Sequence, residues 1–220
     1  MARRRHRKQR RRRTRQATPL SPFLFLGAFA VGLFLVWVAA HERHEARKEQ
    51  AKKPPSLTME QARAANAAIP FADDKPRAAR PFHFRGNSAS REQATQCLAT
   101  AALYEAGSDE RGQRAVMQVV LNRVRLAGYP KTICGVVYQG ATRTTGCQFS
   151  FSCDGSRARR PEHAGWTEAR HAAQRALSGY VFRPVGTATH YHTDWIVPYW
   201  IGSLDKIAKV KSHIFYRPRG

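Results

Sequence analysis

Apolar residues recur with a helical period along three stretches in the second half of the chain. The first stretch starts at Ser90–Gln93, which has the spacing of a capping box, and it carries Leu98 on its apolar face until Gly107 ends it. The second and third stretches predict helices over 110–126 and 165–178, each followed soon afterwards by a glycine. The pattern therefore predicts three amphipathic helices after residue 87.

Two later segments alternate apolar and polar residues in the manner of short strands. They are Thr187–Thr193 and Lys211–Tyr216, whereas Gly140–Pro161 is polar and rich in Gly, Ser and Arg. The combination predicts an α+β domain over 90–220 that is dominated by helices and completed by a small antiparallel sheet.

A long apolar segment near the N-terminus predicts a transmembrane helix that precedes this domain. Phe23–Ala40 contains 18 uncharged, mostly apolar residues, and with Leu20–Pro22 it is long enough to cross a hydrocarbon core of about 30 Å. Trp37 suits an interfacial position, and the Arg-rich residues 1–19 are expected to stay in the cytoplasm. A cleaved signal peptide is the alternative, because Val38-Ala39-Ala40 resembles a cleavage site. We therefore expect a periplasmic domain anchored in the inner membrane, or a secreted form after cleavage.

Residues 41–89 are predicted to link the membrane span (20–40) to the domain. The segment is highly charged at first and then rich in Ala and Pro, with few large apolar residues. A flexible chain of about 45 residues would reach roughly 40 Å. We expect no hydrophobic core from this segment.

The positive charge of the chain is unevenly distributed. The net charge is +23, with 38 Lys and Arg against 15 Asp and Glu. Residues 1–15 hold 10 basic groups and no acid, whereas the chain from Cys97 onward has 17 basic and 8 acidic groups, a net +9. A tail of this kind suits the cytoplasmic flank of a membrane span, and a basic arm that binds nucleic acid is the alternative. Because the chain contains no nucleic-acid-binding module, we expect no such partner.

Four cysteines, Cys97, Cys134, Cys147 and Cys153, lie in the predicted exported domain. Three complete pairings are possible, and we expect Cys97–Cys134 with Cys147–Cys153 in an oxidising compartment. Four unpaired buried thiols are the alternative. A zinc site is disfavoured because the sequence contains no Cys-x-x-Cys pair.

Glu105 is the carboxylate best placed for chemistry. It lies seven residues after Leu98 and four after Ala101, so it projects from the apolar face at the last turn of its helix. Burial and the negative end of the helix dipole should both raise its pKa, which suits a general acid near neutral pH. The alternative is an exposed helix end with Glu105 paired to Arg111 or Arg114.

Polar and aromatic residues in two segments and one helix are candidates for binding a sugar. Aromatic faces pack against sugar rings, while amides and hydroxyls bind the ring hydroxyls. The candidates are Gln148, Phe149, Ser150 and Asp154 in the loop of the last two cysteines, Tyr191, His192 and Trp195 in the first strand segment, and Asn122 in the second helix. The alternatives are that the loop aromatics belong to the core, that the aromatic cluster of Tyr191, Trp195, Tyr199 and Trp200 belongs to the core, and that Asn122 is solvated.

A metal or an organic cofactor is not expected. His190, His192 and Asp194 alternate on one strand face, which makes a metal site conceivable, but two strand histidines more often line a cleft or satisfy a sheet edge. The sequence contains no P-loop, no Rossmann glycine pattern and no Gly-x-Ser-x-Gly elbow.

Several linked motifs follow one another through the predicted domain. They are Cys97-Leu-Ala-Thr-Ala-Ala-Leu-Tyr-Glu105-Ala, Gly112-Gln-x4-Gln-Val-Val-Leu-Asn-Arg-Val124, Tyr129-Pro-x-Thr-Ile-Cys-Gly-Val-Val-Tyr-Gln139, Cys147-Gln-Phe-Ser-Phe-Ser-Cys-Asp-Gly155, His190-Tyr-His-Thr-Asp-Trp195 and Ser212-His-Ile-Phe-Tyr216. In this combination and order, the chain resembles the cell wall hydrolase family of the spore-cortex-lytic enzymes over about Cys97–Arg217.

The resemblance implies a lysozyme-like fold, related to the lytic transglycosylases, that acts on the glycan strands of peptidoglycan. It places the catalytic glutamate of the family at Glu105. The chain departs from the family directly afterwards, where Gly107-Ser108-Asp109 stands in place of an Arg-Gly-Glu run. With the predicted anchor, the resemblance favours wall remodelling in a Gram-negative-type envelope over a spore-specific role. A membrane-tethered peptidoglycan-binding protein without catalysis is the alternative.

Overall fold

The computed structural model describes residues 32–45, 57–72, 77–143, 146–156 and 165–219. The chain divides into two compact units, Met1–Ser56 and Leu57–Gly220. In the first unit, the described residues form one helix, α1, over 32–45, and its apolar side chains from Leu33 to Trp37 are exposed. Within the described ranges, no helix combines the length and the apolar character needed to cross a membrane. Residues 20–31 of the predicted span, like the basic tail, lie outside those ranges.

The described part of the second unit contains helices and a small sheet. The helices are α2 (Met59–Ala68), α3 (Ser88–Ala106), α4 (Glu110–Arg125), α5 (Ile133–Val137) and α6 (Trp166–Leu177), and the strands are β1 (His190–Thr193), β2 (Leu204–Val210) and β3 (His213–Pro218). Helices α3, α4 and α6 match the three predicted helices to within two residues at each end. The helix-dominated α+β prediction is therefore confirmed.

Helix α3 begins earlier than predicted because a different residue caps it. The Asn87 side chain accepts a hydrogen bond from the Ser90 backbone N–H at 2.8 Å, which satisfies one of the free donors of the first turn. Ser90 lies inside the helix and returns its own hydroxyl to the Asn87 carbonyl at 3.0 Å. The predicted capping box starting at Ser90 is therefore wrong.

The main core lies where α3 packs against α4 and α6. Leu98, Val120 and Leu177 are fully buried at this junction. Helices α3 and α6 also bury a set of small side chains, which are Ala94, Ala99, Ala101 and Ala102 on α3 and Ala169, Ala172, Ala173 and Ala176 on α6. We call these buried alanines of α3 and α6 the alanine seam. Because the separation of packed helices depends on the side chains at their contacts, small side chains in the core allow the helices to approach closely.

The described strands form one antiparallel sheet in the order β1-β3-β2. In this register, Tyr191 lies opposite Phe215. Strand β2 was not predicted, because a bulge between Lys206 and Ala208 breaks its alternation and because Lys206 is buried. The Lys206 ammonium donates to the carbonyls of Asn66 and Ile69, each at 2.7 Å, so its charge is compensated inside the fold.

The prediction that 41–89 is a linker without a core is wrong from Leu57 onward. Helix α2 starts with a complete capping box between Thr58 and Gln61 and buries Ala62 and Asn66. The Asn66 amide donates to the carbonyls of Asp194 and Ile196, each at 2.8 Å. Further along, Phe82 and Phe84 pack against the main core. The compact unit thus extends back to Leu57.

Both expected disulfides are present. Cys97–Cys134 joins α3 to α5, and Cys147–Cys153 closes the loop that contains a short 3-10 turn over Ser150–Ser152. The pairing is therefore confirmed, and the alternative of four free thiols is wrong.

Candidate active site

Glu105 occupies the last turn of α3, as the sequence predicted. The helix ends at Gly107, whose φ of 51° lies in the left-handed region that glycine adopts without a steric penalty. The Gly107 N–H donates to the Leu103 carbonyl at 2.9 Å, and its own carbonyl accepts the Gln113 side-chain amide at 2.6 Å. Two elements, α3 and α4, therefore fix the turn that follows Glu105.

The environment of Glu105 favours its protonated form. Burial raises the pKa of the Glu105 carboxyl, and the negative charge of Asp154 adds to the rise. A hydrogen bond from the Tyr191 hydroxyl and the positive charge of Arg123 oppose it. The net direction is upward, so Glu105 can hold a proton at a higher pH than an exposed glutamate can, while two groups stand ready to stabilise the carboxylate once the proton has left.

Tyr191 reaches Glu105 from β1. Its ring packs against those of Phe215 and His213, each at a centroid distance of 5.6 Å, which fixes the direction of the hydroxyl. Burial raises the pKa of Tyr191 well above its usual value, and the hydrogen bond to Glu105 adds to the rise. Tyr191 therefore stays neutral and acts as a hydrogen-bond donor. Of the residues predicted to bind a sugar, Tyr191 is one that lies beside the candidate catalytic residue, Glu105.

Arg123 is the main residue of the site that the sequence analysis did not select. It is 3% exposed, and its Nε donates to the Thr189 carbonyl at 2.7 Å. Its guanidinium stands over the rings of Tyr129 and Phe149 at 5.6 and 5.7 Å. Burial lowers the pKa of Arg123, whereas the nearby Glu105 supports its charge.

A signal for Arg123 was nevertheless present in the sequence. Arg123 lies seven residues after Val116 and three after Val120, so it shares the apolar face of α4. A charged residue in such a stripe is rarely buried without a partner, and here the partners are a carbonyl directly before β1 and the rings of two loop residues.

The loop closed by the Cys147–Cys153 disulfide mainly supports the site through buried aromatic side chains, and it offers few exposed side chains to a ligand. Phe149 and Phe151 are each 2% exposed, and Phe151 stacks on Tyr104 at a centroid distance of 4.4 Å. The ring of Phe149 is therefore not accessible to a sugar, and the prediction of direct sugar contact is wrong for this residue. Its ring instead packs against the guanidinium of Arg123. Gln148 is half-buried and Ser150 is exposed, and both remain candidates for sugar contact.

Asp154 is exposed at the end of this loop. Its carboxylate accepts a hydrogen bond from the Ser156 N–H at 2.8 Å, and its charge acts on Glu105. The Ser156 carbonyl in turn accepts the Tyr104 hydroxyl at 3.0 Å, which ties the loop end to α3. Asp154 is thus the carboxylate whose charge reaches Glu105.

The side chains of His192 and Asp194 make their polar contacts inside the protein, next to the sheet. His192 is buried, with its ring nitrogens 3.0 Å from the Tyr216 hydroxyl and 2.9 Å from the Thr193 carbonyl. Asp194 pairs with Arg63 at 3.2 Å and Lys209 at 2.8 Å. The prediction that His192 contacts substrate is therefore wrong. In the described part of the chain, no cluster of three His, Cys, Asp or Glu side chains offers a metal site.

Asn122 and Trp195 complete the set of predicted residues. The Asn122 amide donates to the carbonyls of Gly186 and Ala188 at 2.9 and 2.8 Å, so it neither turns toward Glu105 nor is left to solvent. Trp195 is 37% exposed after β1, and its contact with a sugar remains a prediction. The fold therefore brings Glu105, Tyr191, Arg123 and Asp154 together, and it uses Asn122 and His192 for internal support.

Several known proteins are similar to part of this chain. A family model described as Cell Wall Hydrolase matches residues 107–216, half of the chain, beginning two residues after Glu105. The chain is 32% identical over 122 residues to the spore cortex-lytic enzymes of Bacillus cereus and Oceanobacillus iheyensis. These matches cover 54% of this chain and 42% and 40% of the relatives, so the chain spans less than half the length of the curated relatives it matches.

Two solved structures are also similar to part of the chain. The catalytic domain of the Bacillus cereus SleB protein is 30% identical, with a TM-score of 0.47, and the match covers 61% of this chain and 95% of that one. The catalytic domain of the germination-specific lytic transglycosylase SleB from Bacillus anthracis is 29% identical with the same TM-score, and the match covers 99% of it.

Proposed function

Because the chain belongs to the cell wall hydrolase family, we propose that it cleaves the glycan strands of peptidoglycan between N-acetylmuramic acid and N-acetylglucosamine. The observation that carries this proposal is the carboxyl of Glu105, which is held at the end of α3 with a raised pKa and a hydrogen bond from Tyr191. A lysozyme-like fold related to the lytic transglycosylases is part of the same proposal.

The first step uses Glu105 as a general acid. The protonated carboxyl donates its proton to the bridging oxygen, the bond from that oxygen to C1 of the muramic acid breaks, and C1 gains oxocarbenium character. The leaving N-acetylglucosamine takes the bond electrons as a neutral alcohol. Glu105 is left as a carboxylate, and Tyr191 and Arg123 stabilise its charge.

The second step returns the proton to Glu105. The carboxylate removes the proton from the C6 hydroxyl of the same muramic acid, and the C6 oxygen bonds to C1, which closes a 1,6-anhydro ring. One carboxylate suffices for this lytic route, whereas simple hydrolysis normally uses two. Among the aspartates considered from the sequence, Asp194 is held by two cations and Asp109 caps α4, so neither is free for a second role.

Asp154 supports a hydrolytic variant of the same proposal. Its charge reaches Glu105, and an exposed carboxylate in that position could activate a water molecule. Mass spectrometry of the digested sacculi separates the two routes, because anhydro ends come from the lytic route and reducing ends come from hydrolysis.

The decisive experiment is a muropeptide digest with the full chain and a Glu105→Gln variant. Glutamine keeps the size of the side chain but cannot donate the proton, so the variant should release no soluble muropeptides. Full activity of Glu105→Gln would remove the proposal. Retention on sacculi without product release by the unsubstituted chain would instead favour the tethered binding protein, which the net charge of +9 from Cys97 onward would attract to wall carboxylates.

We also propose that residues 20–40 anchor the chain in the inner membrane with the catalytic domain in the periplasm. The apolar run, the Arg-rich tail and the two disulfides support this topology. Membrane fractionation with thiol labelling of intact cells tests it. Labelling of four reactive cysteines, or recovery of an uncleaved chain from the cytoplasm, would contradict the proposal.

A further inference from the structure

A cavity of about 460 Å³ lies beside the C-terminal end of α4 and the last strand. Its lining contains the four arginines Arg77, Arg80, Arg125 and Arg217, together with the polar residue Thr189. We call it the arginine cavity. Its size is that of a pocket for a small ligand, and its charge predicts that the ligand is an anion.

Two of the four guanidinium groups are engaged inside the protein. Arg217 pairs with Asp205 at 3.4 Å. Arg125 donates to the carbonyls of Arg80 and Pro81, each at 2.5 Å, and so holds the chain segment that forms one wall. Burial and the like charge of Arg80 both lower the pKa of Arg125, which means that positive charges are crowded in this cavity.

The side chains of Arg77 and Arg80 are exposed, and within the described residues neither has a carboxylate partner. Two guanidinium groups at the rim of a concave site can bind one carboxylate through paired N–H donors. Among the described residues, the cavity therefore carries positive charge that no carboxylate pairs with.

The arginine cavity and the Glu105 site share a structural wall. Thr189, which lines the cavity, gives its carbonyl to the Nε of Arg123 at 2.7 Å, and the charge of Arg123 acts on Glu105. The lining of the cavity is therefore connected to the Glu105 environment through Thr189 and Arg123.

We propose that the arginine cavity binds a carboxylate of the peptide stem that a peptidoglycan strand carries, an inference that rests on the proposed function. The stem is attached to the muramic acid, the sugar whose C1 reacts, and it contains carboxylates but no phosphate. The hydroxyl group of Thr187 in the lining suits a peptide as well.

A phosphate of an anionic lipid headgroup is the competing ligand. A lipid surface is flat and extended, whereas this site is concave and shares its wall with the Glu105 environment, so the stem is the better match. The experiment below separates the two.

The test measures binding of glycan strands to the full chain in a Glu105→Gln background, which prevents turnover. Strands with intact stems are compared with strands of matched length whose stems an amidase has removed. The test variant is Arg77→Gln with Arg80→Gln, and the control variant is Arg85→Gln with Arg183→Gln, which removes the same charge from exposed positions outside the cavity lining.

We expect the test variant to weaken binding of the stem-bearing strands about tenfold and to leave binding of the stripped strands unchanged. The control variant should change neither. An equal loss on both strands, or the same loss in the control, would overturn the proposal. Loss of binding to phosphatidylglycerol vesicles with unchanged stem binding would assign the cavity to a lipid headgroup instead.

The outcome is independent of the cleavage proposal. If the unsubstituted chain cleaves stripped strands but shows no stem preference, only the cavity assignment fails. If it shows a stem preference that depends on Arg77 and Arg80 but releases no product, only the catalytic proposal fails.

Discussion

The Tyr191 hydroxyl on β1 and the Glu105 carboxyl in the last turn of α3 interact, and this interaction lowers the pKa of Glu105 while it raises the pKa of Tyr191. The two residues are 86 positions apart in the sequence, so this contact exists only when the helical core and the sheet are both formed. The pair also determines the direction in which a substitution at Tyr191 should shift the pKa of Glu105 and the pH–activity profile.

Tyr191→Phe should raise the pKa of Glu105 further, because the lost hydrogen bond favours the ionised form. Activity requires protonated Glu105, so the alkaline limb of the pH–activity profile should move to higher pH. The kcat should fall about tenfold, because the carboxylate formed after proton transfer loses a donor. A lower kcat with an unmoved alkaline limb would show that Tyr191 is only a packing residue.

Asp154→Asn should have the opposite effect on the pH profile. The negative charge of Asp154 raises the pKa of Glu105, so its removal should lower that pKa and move the alkaline limb to lower pH. Glu168→Gln is the matched control, since it removes an exposed carboxylate on α6 that does not act on Glu105. Anhydro products should persist in Asp154→Asn under the lytic route, and their loss in this variant would contradict it.

The two disulfides should differ in what their removal changes. Replacing Cys147 and Cys153 by Ser should cost at most about 2 kcal/mol of unfolding free energy, because the closed loop is short. Turnover should fall more strongly, because Phe149 and Asp154 on this loop act on Arg123 and Glu105. Replacing Cys97 and Cys134 opens a longer loop and should cost about 4 kcal/mol. Equal effects of both replacements on melting temperature and turnover would contradict this division.

Asn66→Ala should destabilise the domain although Asn66 lies in a segment predicted to be a linker. The substitution leaves the carbonyls of Asp194 and Ile196 without their donor, and such a loss costs about 1–3 kcal/mol. Glu60→Ala on the exposed side of α2 should change the unfolding free energy by less than about 0.5 kcal/mol. Chemical denaturation measures both, and equal stability of the two variants would mean that α2 does not support the sheet.

The sequence predicted those features that depend on residues close together in the chain. The periods of α3, α4 and α6 were visible because each buries one apolar stripe against the others. The position of Glu105 followed from the same stripe. The disulfide pairs matched expectation because the short loop and the spacing between α3 and α5 leave few compact arrangements.

The missed features depend on partners that are distant in sequence. Asn66 and Lys206 are buried polar residues whose partners are distant in sequence. The Lys206 ammonium binds the Asn66 carbonyl across 140 positions, and the Asn66 amide binds the carbonyls of Asp194 and Ile196. Arg123 needed rings from two loops and a carbonyl before β1. His192 looked like a ligand because only the paired strand, with Tyr216, could show where its ring nitrogens go.

The alanine seam between α3 and α6 has a consequence for how the protein tolerates change. A buried alanine has no rotamers with which to absorb an added atom, so a larger residue at such a position must displace the neighbouring helices. Such a displacement moves the whole of α3, and Glu105 with it. At these positions, a variant can remain folded and still lose its activity. The residues that α3 tolerates are therefore limited by the position that the Glu105 carboxyl must keep at the end of the helix.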